Sequence, residues 1–437
     1  MTNMKKFFFA LIVLLPLAGF CQGGLLGKLK QKVRDRAEQR ADEGMDKALD
    51  KAEEGVKKEG TASKQKEEKS EGRTAAGEPK PATTTASFES YSHYDFIPGE
   101  NIVYTEDFSQ DVIGEFPLKW ATSSRGETVT IKGRENKWLR MFQNGLFLSP
   151  YIKSLPENFT AEFDLVLNYT DQDLSYVFPE LDLYLLNSVA GDEKGRNFFN
   201  SQSGLSAMKI AIGPAAEANS SIYLRSEKAG TETFSNSPKP LTRLGENYGQ
   251  PVHFAIWVQK ERFRLWMNGE KIYDVPQAVP ENAAFNRIGL GVASSNYNEE
   301  NVGYYITNIK FAQGSPDMRS KLIAEGKLVT TGILFDVNSD KIKPESFGVL
   351  QEIAKVLKEN AAVNVKIVGH TDNDGDDAKN LDLSRRRAAS VKQALATQFG
   401  IDASRMQTDG KGEAQPVSDN NTKEGKAKNR RVEFIKQ

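Results

Sequence analysis

The feature that most restricts folding is a long stretch without aromatic residues. From Cys21 to Ser87 there is no Phe, Trp or Tyr, and Lys, Glu, Ala, Gly and Thr predominate. Such a segment buries too little apolar surface to offset the conformational entropy lost on ordering it. Folded cores are therefore expected only after Ser87, in the remainder of the 437-residue chain.

The first half of this stretch still has a helical period. Apolar residues recur every three or four positions among charged ones: Leu29, Val33, Ala37, Ala41, Met45, Leu49, Ala52 and Val56. This pattern predicts a solvated helical spacer over residues 22–56. A helix lying on a membrane surface is the alternative, but a stripe made mostly of alanine disfavours lipid insertion. Residues 57–87 are predicted to be a disordered linker.

The N-terminus has the three parts of a secretory signal peptide. Lys5 and Lys6 precede the apolar run Phe7–Leu15, and small residues follow. The run is shorter than the roughly 20 residues that span a bilayer, so residues 1–21 are predicted to be removed on export. Cys21 allows a lipoprotein interpretation as well, although Phe20 is larger than the residue that lipoprotein signals place there. The chain is therefore predicted to be exported.

Composition excludes several kinds of site. The 58 Lys and Arg residues are balanced by 59 Asp and Glu residues, which argues against a nucleic-acid partner. One cysteine and three scattered histidines cannot assemble a Cys/His zinc cage or a Cys-His nucleophile. The sequence therefore predicts no metal, no cofactor and no enzymatic activity.

Residues 88–312 contain all four tryptophans and alternate as strands do. In the run from Thr160 to Leu167, apolar and polar residues take opposite faces. Asn268-Gly269 lies between two such runs and predicts a type I′ hairpin. These signals predict an all-β sandwich, with five or six recognisable strands and a polar stretch from Asn187 to Pro251 that fits none of them.

Two carboxylate pairs in this region invite a sharper hypothesis. Glu162/Asp164 and Glu180/Asp182 each share the polar face of a predicted strand. The favoured interpretation is that they are simply solvated. One alternative is a glycan-acting enzyme. The other is an outer-membrane β-barrel, although the sequence shows too few strands for a barrel.

The opening of this region resembles lectin-like jelly rolls. The resemblance rests on the run Tyr104–Ser109 followed by Gly114, Pro117 and Trp120. It implies a module that binds a glycan or an envelope protein.

After a connector at 313–326, residues 327–437 alternate strands with helices. Strands are predicted at 328–337, 363–369, near Met406 and at 431–435. One helix follows Pro344, and a second runs from an N-cap at Asn380 to about Phe399. The order βαβαββ predicts an α/β sandwich.

Arg387 is an anomaly in the second helix, because it falls within the apolar stripe of Leu383, Ala388 and Val391. A charge on a packed face is costly unless it is paired. Asp372, in the loop after the second strand, is the expected neighbour. Two arrangements are open: a closed Asp372–Arg387 salt bridge, or a carboxylate and a guanidinium that together hold a zwitterionic ligand.

These residues belong to a recurring motif. Gly369-His370-Thr371-Asp372, Gly375, Asn380, Leu383-Ser384, Arg387-Ala388 and Val391 match its spacing, as do Phe335-Asp336-Val337-Asn338 and Asn429-Arg430-Arg431-Val432. Over about a quarter of the chain, the sequence resembles the OmpA-like peptidoglycan-binding domain. The resemblance implies that Asp372 and Arg387 grip the diaminopimelate of the peptide stem. It further implies a pocket lined by Asn338, Thr371, Asn380, Leu383 and Arg430.

The resemblance also implies a location in the periplasm or outer membrane of a Gram-negative-type cell. The expected function is therefore non-catalytic attachment to peptidoglycan, which links the outer membrane or envelope partners to the cell wall.

Overall fold

The computed structural model describes residues 94–437, except 135, 153–154, 171–176, 189–191, 193, 201–204, 217 and 315–316. The predicted signal peptide, helical spacer and linker, and the fate of Cys21, lie outside the described residues. Two domains are distinguished below: a middle domain that ends at Gln313 and a C-terminal domain that begins at Lys327. The sequence-based domain bounds remain predictions.

The middle domain consists of two eight-stranded antiparallel sheets. The first contains β1 (Asn101–Glu106), β3 (Gly126–Thr130), β4 (Lys137–Met141), β6 (Asn158–Tyr169), β12 (Val252–Gln259), β13 (Arg262–Met267), β14 (Glu270–Val275) and β16 (Val302–Gln313). Its order is β14-β13-β12-β6-β16-β4-β3, and β1 pairs with β16.

The second sheet contains β2 (Ala121–Thr122), β5 (Gly145–Leu148), β7 (Leu181–Asn187), β8 (Ser206–Gly213), β9 (Ser221–Lys228), β10 (Thr231–Ser235), β11 (Lys239–Pro240) and β15 (Arg287–Val292). Its order is β10-β9-β8-β7-β15-β5-β2, and β11 pairs with β9. Two short helices, α1 (Arg196–Asn200) and α2 (Thr242–Gly245), lie between strands.

The core of this domain forms between the two sheets because alternate side chains of each strand point inward. Phe163 and Leu165 of β6 and Leu183 of β7 are buried in one shared cluster. Strand β12 is buried on both faces, since Ala255 and Trp257 pack on its other side against Tyr94 and Phe96. That second layer explains the dense apolar run seen in the sequence of β12.

The predicted hairpin at Asn268-Gly269 is confirmed, with φ of 47° and 83° between β13 and β14. The expectation of five or six strands is wrong, because the middle domain has sixteen among the described residues. The stretch from Asn187 to Pro251 contains four of them, β8 to β11. Their polar residues alternate with buried Met208, Ile210 and Leu224, so composition hid the pattern.

The C-terminal domain is an α/β layer structure. Its strands are β17 (Lys327–Thr330), β18 (Val365–Gly369), β19 (Met406–Gly410) and β20 (Val432–Lys436), in the order β17-β20-β18-β19. Only β18 and β19 are parallel within this sheet. The helices are α3 (Phe347–Glu359), α4 (Asp377–Thr397) and α5 (Lys423–Asn429), with short turns of helix at Ser320–Ala324, Pro344–Ser346 and Ala403–Arg405.

The apolar faces of α3 and α4 cover this sheet. Val349 and Ile353 of α3, and Val391 and Leu395 of α4, are fully buried with Phe434 of β20. The predicted order βαβαββ lacked α5, and the observed order is βαβαβαβ. The first strand ends at Thr330, well before the predicted Val337.

The predicted N-cap of the second helix is also wrong. Asp376 caps α4 by accepting a hydrogen bond from the Lys379 backbone N–H at 3.0 Å, and Asn380 lies inside the first turns. Within the described part of the chain, no helix combines the length and apolarity needed to cross a bilayer.

Candidate functional site

A cleft of about 460 Å³ lies where the two domains meet. The C-terminal wall of the cleft is formed by the loops after β17 and β18, the beginning of α4, and the segment that joins α5 to β20. All seven residues predicted to bind the ligand line this cleft: Asn338, Thr371, Asp372, Asn380, Leu383, Arg387 and Arg430. The structure thus brings these residues together, while their role in binding remains a prediction.

Arg387 carries a positive charge into this cleft without an ion-pair partner among the described residues. Its guanidinium lies 4.9 Å from the centre of the Phe335 ring, and its Nε donates to the Ser339 carbonyl at 2.9 Å. Burial, and then the positive charge of Arg430, lower the pKa of Arg387 to about 10, against the opposing effect of Asp372. Because the group stays protonated at neutral pH, an anion is the ligand that would compensate it.

Asp372 is paired with Arg430, not with Arg387. The closed Asp372–Arg387 salt bridge considered from the sequence is therefore wrong. Asp372 is only 7% exposed, and one of its oxygens accepts from the Asp374 backbone N–H at 3.2 Å. A carboxylate has about four lone-pair sites, so Asp372 retains acceptor capacity for a ligand ammonium.

The neighbouring residues fix the shape of this wall. The Asn380 side chain donates to the carbonyls of Asp372 and Asp374, at 3.4 and 3.1 Å, and to Oε2 of Glu413 at 2.7 Å. Asn338 has a positive φ of 51°, a conformation that asparagine tolerates better than most residues. The Thr371 hydroxyl is buried and has no hydrogen-bond partner among the described residues.

The opposite side of the cleft belongs to the middle domain. We call it the sandwich wall and define it as Asn136, Glu162, Asp164, His253, Asn308 and Lys310. Strand pairing assembles it, because His253 of β12 lies opposite Asp164 of β6, and Lys310 of β16 lies opposite Glu162.

The sandwich wall is held by polar contacts. His253 Nδ1 is 2.7 Å from Asp164 Oδ1, and the Asn308 amide donates to Asp164 Oδ2 at 2.7 Å. Lys310 Nζ lies 2.8 Å from Glu162 Oε1. The side chains of Glu162 and Asp164 are only 5% and 14% exposed, so the interpretation of this pair as solvated is wrong. Sequence reasoning missed His253, Asn308 and Lys310 because strand register cannot be read from one sequence.

His253 and Asp164 stabilise each other's charged forms. Burial alone would lower the pKa of His253, but the hydrogen bond and charge of Asp164, with the charges of Glu162 and Glu345, raise it above 6.5. Burial would likewise raise the pKa of Asp164, and His253 together with Asn308 lowers it below 3.8. The shifts in the two pKa values therefore both favour the charged form of each group.

The two walls are fixed by direct contacts between the domains. Lys423 of α5 is buried among carboxylates of the middle domain: it pairs with Glu106 and lies 3.6 Å from Asp107. The adjacent Glu424 accepts from the Thr105 backbone N–H at 3.2 Å. Because α5 ends next to Arg430, these contacts also position the segment that carries Arg430.

The second carboxylate pair lies elsewhere, on the other sheet. Asp182 is 2.8 Å from Lys209 Nζ, and burial raises the pKa of Asp182 to about 6 despite that charge. His370 also lines the cleft and is buried, with Nε2 3.6 Å from Glu433 Oε1. Among the described residues, no group of three or more His, Cys, Asp or Glu side chains could hold a metal ion.

The fold and cleft define a class of protein in which an α/β domain places one half-buried guanidinium and one buried carboxylate in the same cleft. Residues 334–430 match the OmpA family, and the chain belongs to this family through its C-terminal domain.

Individual relatives align with the same part of the chain. "Probable lipoprotein YiaD" of Escherichia coli (strain K12) is 40% identical over 144 residues, which cover 30% of this chain and 63% of the relative. "Outer-membrane lipoprotein YfiB" of Pseudomonas aeruginosa is 39% identical over 107 residues, covering 24% of this chain and 63% of the relative. The chain thus spans less than two thirds of either relative. Among solved structures, the peptidoglycan-associated lipoprotein from Burkholderia pseudomallei is 28% identical, with a TM-score of 0.23, over 26% of this chain and 92% of that one.

Proposed function

We propose that this protein binds peptidoglycan non-covalently, by holding the diaminopimelate of the peptide stem in the cleft. Arg387 receives a carboxylate of the diaminopimelate in a two-pronged contact, and Asp372 receives its ammonium. Thr371 and Arg430 add hydrogen bonds, while Asn338, Asn380 and Leu383 shape the pocket. No bond is made or broken in this function.

The observation that carries the proposal is the unpaired, half-buried charge of Arg387. A protein rarely buries a guanidinium without a carboxylate, because the desolvation cost is then uncompensated. Asp372 in the same cleft adds the opposite charge, so the complementary ligand is a zwitterion. Diaminopimelate presents an ammonium and a carboxylate on one carbon at the end of its side chain, which matches this pair.

Co-sedimentation of the full-length protein with purified peptidoglycan tests the proposal. Wild-type protein is expected in the pellet, and Arg387→Ala or Asp372→Ala is expected to remain in the supernatant. A lost charge-assisted hydrogen bond costs about 1.5 to 3 kcal/mol, and each variant removes at least one.

Arg386→Ala is the matched control for this experiment. Arg386 is adjacent on α4, is exposed, and pairs with Asp340 and Asp382 away from the cleft lining. This control is expected to sediment as the wild type does. Wild-type levels of sedimentation for both Arg387→Ala and Asp372→Ala would overturn the proposed site.

The wider role follows from the same proposal. We infer that the protein is exported and associated with the outer membrane, in keeping with its lipoprotein relatives. The C-terminal domain then links that membrane to the cell wall. The middle domain is proposed to add a glycan or protein contact.

A further inference from the structure

Polar atoms without partners occur on both walls of the cleft. His253 Nε2 on the sandwich wall, and Glu345 Oε2 and Thr371 Oγ1 on the C-terminal wall, are buried and have no hydrogen-bond partner among the described residues. Buried polar atoms are nearly always hydrogen-bonded, so each one needs a partner that the described residues do not supply. Their position on facing walls indicates a ligand that reaches both domains.

The imidazole of His253 is held in a fixed orientation by its other nitrogen. Nδ1 must donate to Asp164, since a carboxylate only accepts, and the Asn308 amide holds Asp164 from the other side. Nε2 lies 3.7 Å from Glu162 Oε2, which is too long for a hydrogen bond. In the protonated ring that pairs with Asp164, this nitrogen is therefore a pre-positioned N–H donor at the surface of the cleft.

The charges of the sandwich wall are already satisfied within it. Glu162 is paired with Lys310, and Asp164 with His253. Unlike the C-terminal wall, which contains the unpaired Arg387, the sandwich wall has no unpaired charge that could attract a charged ligand. Its complement is a neutral group that accepts a hydrogen bond from the Nε2–H of His253, as the carbonyl oxygen of a peptide amide does.

The size of the cleft agrees with a ligand larger than one amino acid. Its volume of about 460 Å³ is within the range of roughly 300 to 1,000 Å³ typical of sites for drug-sized ligands. The atoms covalently next to diaminopimelate in peptidoglycan are peptide amides. We propose that the sandwich wall binds the peptide segment flanking the diaminopimelate, so that the middle domain forms half of the peptidoglycan-binding site. This inference rests on the proposed function and extends it.

The experiment compares two soluble ligands by calorimetry with the full-length protein: free meso-diaminopimelate and a stem tetrapeptide that contains it. Wild-type protein is expected to bind the tetrapeptide more tightly. His253→Asn keeps an amide near the Nδ1 position and removes Nε2, so it should weaken tetrapeptide binding roughly tenfold while leaving free diaminopimelate unchanged. His253→Gln, whose amide reaches the Nε2 position, should restore part of the loss.

Glu180→Gln is the control, because Glu180 lies outside the cleft. It should match the wild type with both ligands, and circular dichroism and the thermal midpoint should confirm that every variant is folded. If His253→Asn binds both ligands as the wild type does, the sandwich wall has no role and the inference is wrong, although the proposed function stands. If wild-type protein binds neither ligand, both the inference and the proposed function are wrong. If His253→Asn weakens binding only when the tetrapeptide carries its sugars, the sandwich wall binds the glycan and not the peptide, and the inference is also wrong.

Discussion

At the scale of residues, the charges of the cleft are distributed unequally between its walls. Of the two guanidinium groups of Arg387 and Arg430, only that of Arg430 is paired with the carboxylate of Asp372. The sandwich wall pairs its charges one to one. The C-terminal wall therefore has one cation in excess, which suits a ligand carboxylate, and the sandwich wall suits neutral hydrogen-bonding groups.

The pair of His253 and Asp164 predicts a pH dependence of stability. Since the pKa of folded His253 is raised above 6.5, its protonation stabilises the folded state fully below about pH 6.5. That contribution is lost as the pH rises through the folded-state pKa. The difference in unfolding free energy between wild type and His253→Asn should thus be largest near pH 6 and should shrink towards pH 9. Urea unfolding at a series of pH values measures it, and a difference that is constant with pH would contradict the assignment.

Residue identity was predicted better than residue partners. The motif with Asp372 and Arg387 predicted the seven residues that meet on one wall of the cleft. It did not predict that Asp372 pairs with Arg430, because that contact depends on how the segment after α5 approaches the loop after β18. The sandwich wall was missed altogether, since Glu162, His253 and Lys310 come together only through the register of three strands that are distant in sequence.

At the scale of elements, helix α3 owes its position to one glycine. A Cβ on Gly348 would lie closer to the Phe96 carbonyl oxygen than van der Waals contact permits, because the segment before β1 runs directly over the helix. Pro344 and the helical spacing of the apolar residues after it predicted α3 itself from the sequence. The close approach of Phe96 was beyond prediction, since it joins residues from different domains.

Substitution of Gly348 by alanine should destabilise the protein despite the higher helix propensity of alanine. Propensity favours alanine by about 1 kcal/mol, whereas overpacking against a backbone carbonyl costs about 1 to 3 kcal/mol. A fall in the thermal midpoint is expected. Gln351→Ala is the control, because Gln351 is exposed on the same helix and should change the midpoint little. A midpoint for Gly348→Ala at or above that of the wild type would contradict this packing.

At the scale of the whole molecule, the two domains are joined by a buried charge contact. The side chains of Lys423 and Glu106 are 14% and 6% exposed, and Glu106 also accepts from the Phe108 backbone N–H at 2.9 Å. Sequence patterns separated a β domain from an α/β domain. They gave no indication that the domains share a cleft, because Lys423 and Glu106 look like ordinary surface charges in the sequence.

Removal of Lys423 should loosen this joint. Lys423→Ala leaves Glu106 buried without its cation, and breaking a buried ion pair on one side costs about 3 to 5 kcal/mol. A clear loss of unfolding free energy in urea is expected. Arg262→Ala breaks the exposed pair with Asp274 and should cost less than about 1 kcal/mol. Equal effects of the two variants would show that the Lys423 contact does not join the domains.

The cleft has walls from both domains, which gives the proposed binding mode a mechanical consequence. A stem peptide that touches both walls binds only while the domains are joined, so occupancy opposes their separation. At a ligand concentration of 100 times Kd, binding stabilises the joined state of the domains by about 2.7 kcal/mol. Pulling the two domains apart would then release the peptide, so the joint between the domains and the attachment to the cell wall would fail together.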